Sequence, residues 1–428
     1  MNVTMIRIRR IIGFHLLILI IGLWSCKTSQ QWAGQAPIRI VPTNTLPIQK
    51  QQIGIFDLGE GVYASNDFVG SRLNGITRGD DGQLLALITP ENTPINPSPW
   101  YAFKLWAAEE QEVSLKISYL NGSFHRYHPQ LSHDSKNWER LPETQYQRGE
   151  LIDNESPREL PKDATLSLTI GPDTLWVAAQ ELSTSLDATA WIEGLAQKPY
   201  ITKRIIGDSR EGRPIELMKI GESDDQQMIF VLSRQHPPEV TGYLAMQAFV
   251  EAIASDDPLA VRFRQSFNTY VVPMANPDGV DHGHWRHNAG GIDLNRDWER
   301  VNQPEVAIIQ QFLKDKVDSS GGTLYFAVDF HSTWEDIYYT IDPAQKGNWP
   351  GLVPQMINAM ATELELTPNI RPGTVDSITL NSTRYFFSEF GAESLTYEIG
   401  DNTPRDLLKR KGEVSAMKLM ELLLGPNK

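Results

Sequence analysis

The chain predicts an α/β domain whose mixed sheet is flanked by helices, preceded by a small antiparallel β-sandwich. Three observations carry that prediction. At 428 residues the chain is longer than one hydrophobic core usually serves. Its apolar patterning has a period of two before about residue 200, and beyond that point apolar runs alternate with helical stretches. The expected division is a leader over 1–25, a tether over 26–52, the sandwich over 53–195 and the α/β domain over 196–428.

The leader has the parts of an export signal. Arg7, Arg9 and Arg10 form a cationic head, and the apolar run Ile11 to Trp24 that follows is short for a membrane span. The run closes on Leu23-Trp24-Ser25-Cys26, which resembles a lipobox, with Trp24 where a small residue is usual. Cys26 is the single cysteine, so no disulfide competes for it, and a lipid anchor is its expected use. The expectation is an exported bacterial lipoprotein; Lys27 after the anchor favours the outer membrane, facing the periplasm or cell surface. From Lys27 to about Gln52 the chain is rich in Gln, Pro, Thr and Ser without an apolar period, the composition of a mobile tether.

In the sandwich, Val113, Leu115, Ile117 and Tyr119 alternate with polar residues, as do Leu166, Leu168 and Ile170, which predicts half-buried strands. Turn-rich stretches such as Asn92 to Pro99 separate them, and Trp100, Tyr101, Phe103 and Trp106 read as core. In the second domain Met228 to Leu232, Tyr270 to Val272 and Leu324 to Phe330 read as buried strands. Glu239 to Ala254 and the run after Pro304 read as helices, and Thr403-Pro404 as the N-cap and first residue of the closing helix. A formal net charge of −14 argues against nucleic acid as a partner. The chain gives no indication of oligomeric state.

The informative polar residues each follow a predicted strand, where open α/β sheets place their sites. His236-Pro237-Pro238-Glu239 follows the strand ending at Leu232, and the two prolines keep His236 in a loop while Glu239 opens a helix. His331 ends the strand Leu324 to Phe330. Two imidazoles and a carboxylate are the three-ligand set of a catalytic zinc site. Asn276-Pro277-Asp278-Gly279, Arg286 and Asp293-Leu294-Asn295-Arg296 bring two guanidinium groups and an amide into one short region, suited to holding a carboxylate and a developing oxyanion. Glu398, in the apolar strand Ser394 to Gly400, is a carboxylate whose burial is costly unless a proton, cation or metal is near.

Taken in this order, these blocks resemble the zinc carboxypeptidase family over about 200–428, and Arg286 so close before Asn295-Arg296 is similar to its cytosolic-carboxypeptidase branch, which also carries an N-terminal β-sandwich. The resemblance extends more loosely to Ser98-Pro99-Trp100-Tyr101-Ala102-Phe103 and Tyr127-His128-Pro129. It implies one zinc ion per chain held by His236, Glu239 and His331, with Glu398 as general base, taking a proton from water and returning it to the leaving amine. It further implies that Arg286 polarises the scissile carbonyl, that Asn295 and Arg296 bind the terminal carboxylate of a peptide, and that Asp293 orients a ligating histidine. Arg384 lies where the family builds its side-chain pocket, which points to acidic C-terminal residues. The family's tyrosine, some twenty residues before the catalytic glutamate, has no counterpart at Asp376-Ser377-Ile378; the nearest, Tyr385, reads as core. Cell-wall peptides, including D-amino-acid linkages, and nutrient peptides are both open as substrates. The alternatives are a zinc deacylase of N-acyl amino acids and a binding lipoprotein without catalysis.

Overall fold

The computed structural model describes residues 46–120, 123–156, 158–375 and 380–425. The leader, Cys26, the tether up to residue 45 and the segment Asp376-Ser377-Ile378 lie outside the described residues. The last part of the expected tether is docked: Leu46 donates its amide to the Thr93 carbonyl (2.9 Å) and Gln49 to that of Glu91 (2.7 Å). Paired backbone groups, rather than apolar period, hold this stretch in place.

The N-terminal sandwich contains β1 (Ile55–Asp57), β2 (Val62–Ser65), β3 (Gly75–Arg78), β4 (Leu84–Ile88), β5 (Ala102–Ala107), β6 (Gln111–Tyr119), β7 (Gln130–Ser132), β8 (Glu139–Arg140), β9 (Tyr146–Arg148), β10 (Asp163–Ile170) and β11 (Leu175–Ala178). One sheet has the order β1-β2-β5-β11-β7-β8, the other β3-β4-β6-β10-β9. Alternation along β6 and β10 sends Val113, Leu115, Ile117, Leu166, Leu168 and Ile170 into the core between the sheets, with Tyr101 and Phe103 from β5 and the residue before it. The pairing departs from an all-antiparallel expectation at one place: β4 and β6 run parallel, Leu84 opposite Leu115. The reason is connectivity, because β5 crosses to the other sheet between them and the chain therefore reverses twice.

The helix α1 (Ser185–Leu195) opens on a capping box between Thr184 and Asp187. It falls within the span expected for the sandwich, yet Ala188 and Ile192 bury against the α/β core. That core is built on β12 (Ile201–Asp208), β13 (Pro214–Ile220), β14 (Gln227–Ser233), α2 (Val240–Ile253), α3 (Pro258–Ser266), β15 (Asn268–Val272), α4 (Pro277–Asp281), α5 (Pro304–Ser320), β16 (Thr323–Thr333), β17 (Ile337–Ile341), α6 (Leu352–Glu363), β18 (Ile370–Gly373), α7 (Ser382–Phe390), β19 (Glu393–Gly400) and α8 (Arg405–Leu424). The sheet order is β12-β13-β15-β14-β16-β19-β17-β18, with a parallel centre β15-β14-β16-β19. The closing helix starts at Arg405, one residue beyond the expected start, with Pro404 as its cap. His331 lies inside β16, which continues to Thr333, rather than at its end.

Period two on the parallel strands divides the core in two. Ile229, Val231, Phe326, Val328, Leu395 and Tyr397 face α2, α6 and α8, whereas Phe230, Leu232 and Ala327 face α5 and α7. Each such side chain removed from water contributes roughly 1.5–3 kcal/mol, so the register is strongly held. Asp329 and His331 on β16, and Thr396 and Glu398 on β19, share the α5/α7 side by this alternation, with His331 in register with Glu398. Among the described residues no helix is long and apolar enough to cross a membrane.

Candidate active site

Three segments bring the candidate metal ligands together. His236 sits in the bend after β14, Glu239 caps α2, and His331 is carried by β16. Gly242 makes the approach possible: α2 passes so close to β16 that a Cβ at this position would collide with the His331 backbone. One ligand atom from each of His236, Glu239 and His331 lies within 4.8 Å of the other two, and all three residues are buried.

The chemistry of this donor set fits a cation. Nε2 of His236 is 2.9 Å from Oδ1 of Asp293, and Nε2 of His331 is 2.7 Å from Oδ2 of Asp329. Carboxylates only accept, so the Nε2 atoms carry the hydrogens and the Nδ1 lone pairs turn inward, 3.2 Å apart. The Glu239 oxygens lie 2.8 and 2.6 Å from those same Nδ1 atoms. Three electron-rich atoms meet at one point, the arrangement zinc requires with a further position left for water.

Around this point lies a cavity of about 500 Å³. Arg126, Arg158, Arg286, Arg296, Arg371 and Arg384 line it, and among the described residues the carboxylates of Glu239 and Glu398 alone face them. Glu398 is half-buried on β19 with its Oε2 unpartnered, and burial, reinforced by the nearby Glu239 carboxylate, pushes its pKa up to about 7. A carboxylate so poised accepts and returns a proton near neutral pH.

Arg286 is buried, its Nε donating to Oδ2 of Asp293 at 2.6 Å, so Asp293 ties Arg286 and His236 together. Asn295 is held inside the protein: its Oδ1 accepts the Ser382 amide at 3.0 Å and its Nδ2 lies 3.3 Å from Nε2 of His331. Arg296 donates from NH1 to the Asn295 carbonyl (2.9 Å) and leaves Nε unpartnered. Burial lowers the Arg296 pKa against the pull of Asp293, and the neighbouring Arg286 and Arg384 add to the lowering. Guanidinium groups facing a cavity suit a carboxylate ligand. Asn276 caps α4 by accepting the Gly279 amide (2.9 Å) and donates to the Gln235 carbonyl (3.1 Å), which steadies the bend carrying His236.

The structure adds residues that sequence reasoning missed. Asp329 lies two residues before His331 on the same strand face, a spacing that could have identified it. It also accepts from Gln235 (2.6 Å) and from the Ser382 hydroxyl. Tyr339, on β17, lines the cavity and is 38% exposed. Tyr385, by contrast, packs against Trp298 and is buried, as expected for core. Arg126 and Asn96 reach the cavity from the sandwich, with no local signal in the sequence.

Comparison with known proteins agrees with this geometry. Residues 188–345 match the family model described as zinc carboxypeptidase. An uncharacterized protein from Zymomonas mobilis is 26% identical over 260 residues, covering 59% of this chain and 63% of that protein. Human cytosolic carboxypeptidase 6 is 28% identical over 142 residues, covering 31% and 28% respectively. The chain thus spans less than two thirds of the length of these curated relatives. Among solved structures, a metallo-carboxypeptidase from Burkholderia cenocepacia superposes with a TM-score of 0.66 at 18% identity, covering 84% of this chain and 98% of that one. One from Pseudomonas aeruginosa, in complex with (2-guanidinoethylmercapto)succinic acid, gives 0.65 at 22% identity, covering 84% and 98%. At such identity these two establish a shared fold, which includes the β-rich N-terminal region. Residues 188–345, which hold His236, Glu239 and His331, thus match the zinc carboxypeptidase family.

Proposed function

We propose that the protein is a zinc-dependent carboxypeptidase that releases the C-terminal residue of peptides. The observation that carries this reading is the convergence of His236, Glu239 and His331, with Glu398 in register with His331, at a cavity lined by arginines. A bound zinc ion supplies Lewis acidity at the carbonyl and makes water a better acid. Glu398 takes the proton from that water and delivers it to the departing amine, a double use that a pKa of about 7 favours. Arg286, anchored by Asp293, faces the developing oxyanion, and Arg296 with Asn295 receives the terminal carboxylate.

Within this reading Arg384 selects acidic or other carboxylate-bearing C-terminal residues, supported by the six arginines around the cavity. Arg384→Ala should erase any preference for acidic over apolar C-terminal residues; an unchanged ranking would refute the assignment. The leader supports export and anchoring through Cys26, which predicts palmitate incorporation into the full chain and none into Cys26→Ser.

The decisive experiment measures metal content and C-terminal release on protein lacking residues 1–26, against mixed L- and D-terminated peptides. One zinc per chain with release abolished by Glu398→Gln establishes the reading. Zinc without peptide release, but with hydrolysis of N-acyl amino acids, would replace it with the deacylase alternative. Zinc with neither activity would favour a binding protein.

A further inference from the structure

The loop that carries Arg286 takes its shape from the other half of the molecule. It runs from His284 to Asn288 beyond α4, and three consecutive backbone amides in it converge on one carboxylate. Oε2 of Glu91 accepts the Trp285 amide at 2.8 Å, while Oε1 accepts those of Arg286 (3.0 Å) and His287 (2.7 Å). Glu91 belongs to the connection between β4 and β5 of the sandwich and is fully buried.

The contacts beside it continue the same tie. Oδ1 of Asn92 lies 2.6 Å from Nδ1 of His287, and Nδ2 of Asn92 donates to the Gly291 carbonyl at 3.1 Å. The Trp285 ring is buried in the sandwich core, its Nε1 donating to the Trp100 carbonyl at 3.1 Å. Gly279 lets the loop close up, since a Cβ there would stand 2.6 Å from the His287 carbonyl oxygen.

We propose that Glu91 is a positioning residue for Arg286, so that the N-terminal sandwich supplies part of the working active site rather than only standing beside it. The inference rests on the carboxypeptidase reading, in which Arg286 meets the scissile carbonyl. A curled run of amides pointing at one anion holds the backbone in a single conformation, and charge-assisted bonds to a buried carboxylate are stronger than neutral ones. Burial works against the Glu91 carboxylate, but His284, His287, Arg72 and the backbone amides more than offset it and hold its pKa at about 2. Glu91 fixes where the Arg286 backbone lies, and Asp293 fixes where its Nε points. Together they leave the guanidinium little freedom to miss the carbonyl.

The test is a double-mutant cycle of Glu91→Gln and Arg286→Ala in the zinc-loaded full chain, read as kcat and KM on a peptide that the wild type cleaves. An amide in place of the carboxylate sets an N–H against one of the loop donors and displaces the loop. A displacement of the order of 1 Å costs about 100-fold in rate, so Glu91→Gln should lower kcat by about that factor, with KM and zinc content little changed. In the Arg286→Ala background the same substitution should cost less than about threefold, because the group it positions is gone. Glu91→Asp keeps the charge but withdraws it by one methylene, and gives an intermediate loss with the same non-additivity should the Gln variant fold poorly. Hydrogen exchange at the amides of residues 285–287 provides a readout independent of activity and should accelerate in both Glu91 variants. Equal losses of kcat with and without Arg286, or faster exchange with unchanged kcat, would overturn the proposal. If the wild type releases nothing from any peptide, the carboxypeptidase reading falls and the catalytic role of Glu91 with it, while unchanged exchange would separately show that Glu91 does not hold the loop.

Discussion

Oδ2 of Asp329 stands 2.7 Å from Nε2 of His331, two residues further along the same strand, so that β16 carries both a candidate metal ligand and the acid that orients it. The carboxylate keeps the hydrogen on Nε2 and turns the Nδ1 lone pair toward His236 and Glu239. Such partners typically contribute 10- to 100-fold to metal affinity. Asp329→Asn should weaken zinc binding by about that factor, measured by competition with a chelator. An unaltered zinc affinity would show that the ring is held by its other neighbours.

Among the described residues, Glu398 is the one carboxylate lining the cavity besides the candidate ligand Glu239. Glu398→Gln removes the proton acceptor while retaining the shape, and general acid–base catalysis typically contributes about 10²–10⁴-fold. The variant should lose kcat by that order and keep its zinc. Metal analysis beside steady-state kinetics checks both halves, and a variant that also lost zinc would mean that Glu398 helps to hold the ion.

How much of this was legible in the sequence follows from the distance over which each interaction acts. His236 and Glu239 could be read because two prolines and a helix start determine their local geometry, and Asp293 because the resemblance to zinc carboxypeptidases implies its role. The period-two strands likewise exposed their own buried faces. Glu91 could not be read: its partners lie 194 to 196 residues away, and the residues around it have no pattern that distinguishes it from any loop glutamate. The same holds for the parallel pairing of β4 with β6, since alternation shows which face of a strand is buried and says nothing about which neighbour it chooses. Residues 46–52 resemble a tether in composition and are held instead by backbone bonds, which composition does not encode.

His284 gives a pH dependence whose sign can be worked out. It is buried, and burial, against the pull of Glu91, lowers its pKa from 6.5 to about 4. Arg72, His282 and His287 face it as well. Because the folded-state pKa lies below the unfolded one, its contribution to stability is complete above pH 6.5 and is lost as pH falls toward about 4. His284→Asn keeps a nitrogen near the Nδ1 position that faces the His287 carbonyl at 3.0 Å, but does not titrate. The stability difference between wild type and this variant should therefore shrink from pH 6.5 to 4, with wild type taking up about one additional proton on unfolding. Urea denaturation at a series of pH values measures it, and a constant difference would place the imidazole pKa near its ordinary value.

Arg126 and Asp401 join the sandwich to the residue that follows β19. The Arg126 Nε lies 2.8 Å from Oδ2 of Asp401 and its NH2 lies 3.3 Å from Oδ1, with side-chain exposures of only 6% and 3%. Burial lifts the pKa of Asp401 and Arg126 opposes that rise, while the arginine holds its own proton more tightly; the two-point geometry is that of an ion pair. Taking one charge from such a pair leaves the other buried and uncompensated, at a cost of about 3–5 kcal/mol. Arg126→Ala and Asp401→Ala should each lower stability by about that amount. The double variant should be much less destabilised than the sum, since no orphan charge remains. Additive losses in urea denaturation would mean that each side chain is held by separate partners, and that this contact does not join the sandwich to the strand carrying Glu398.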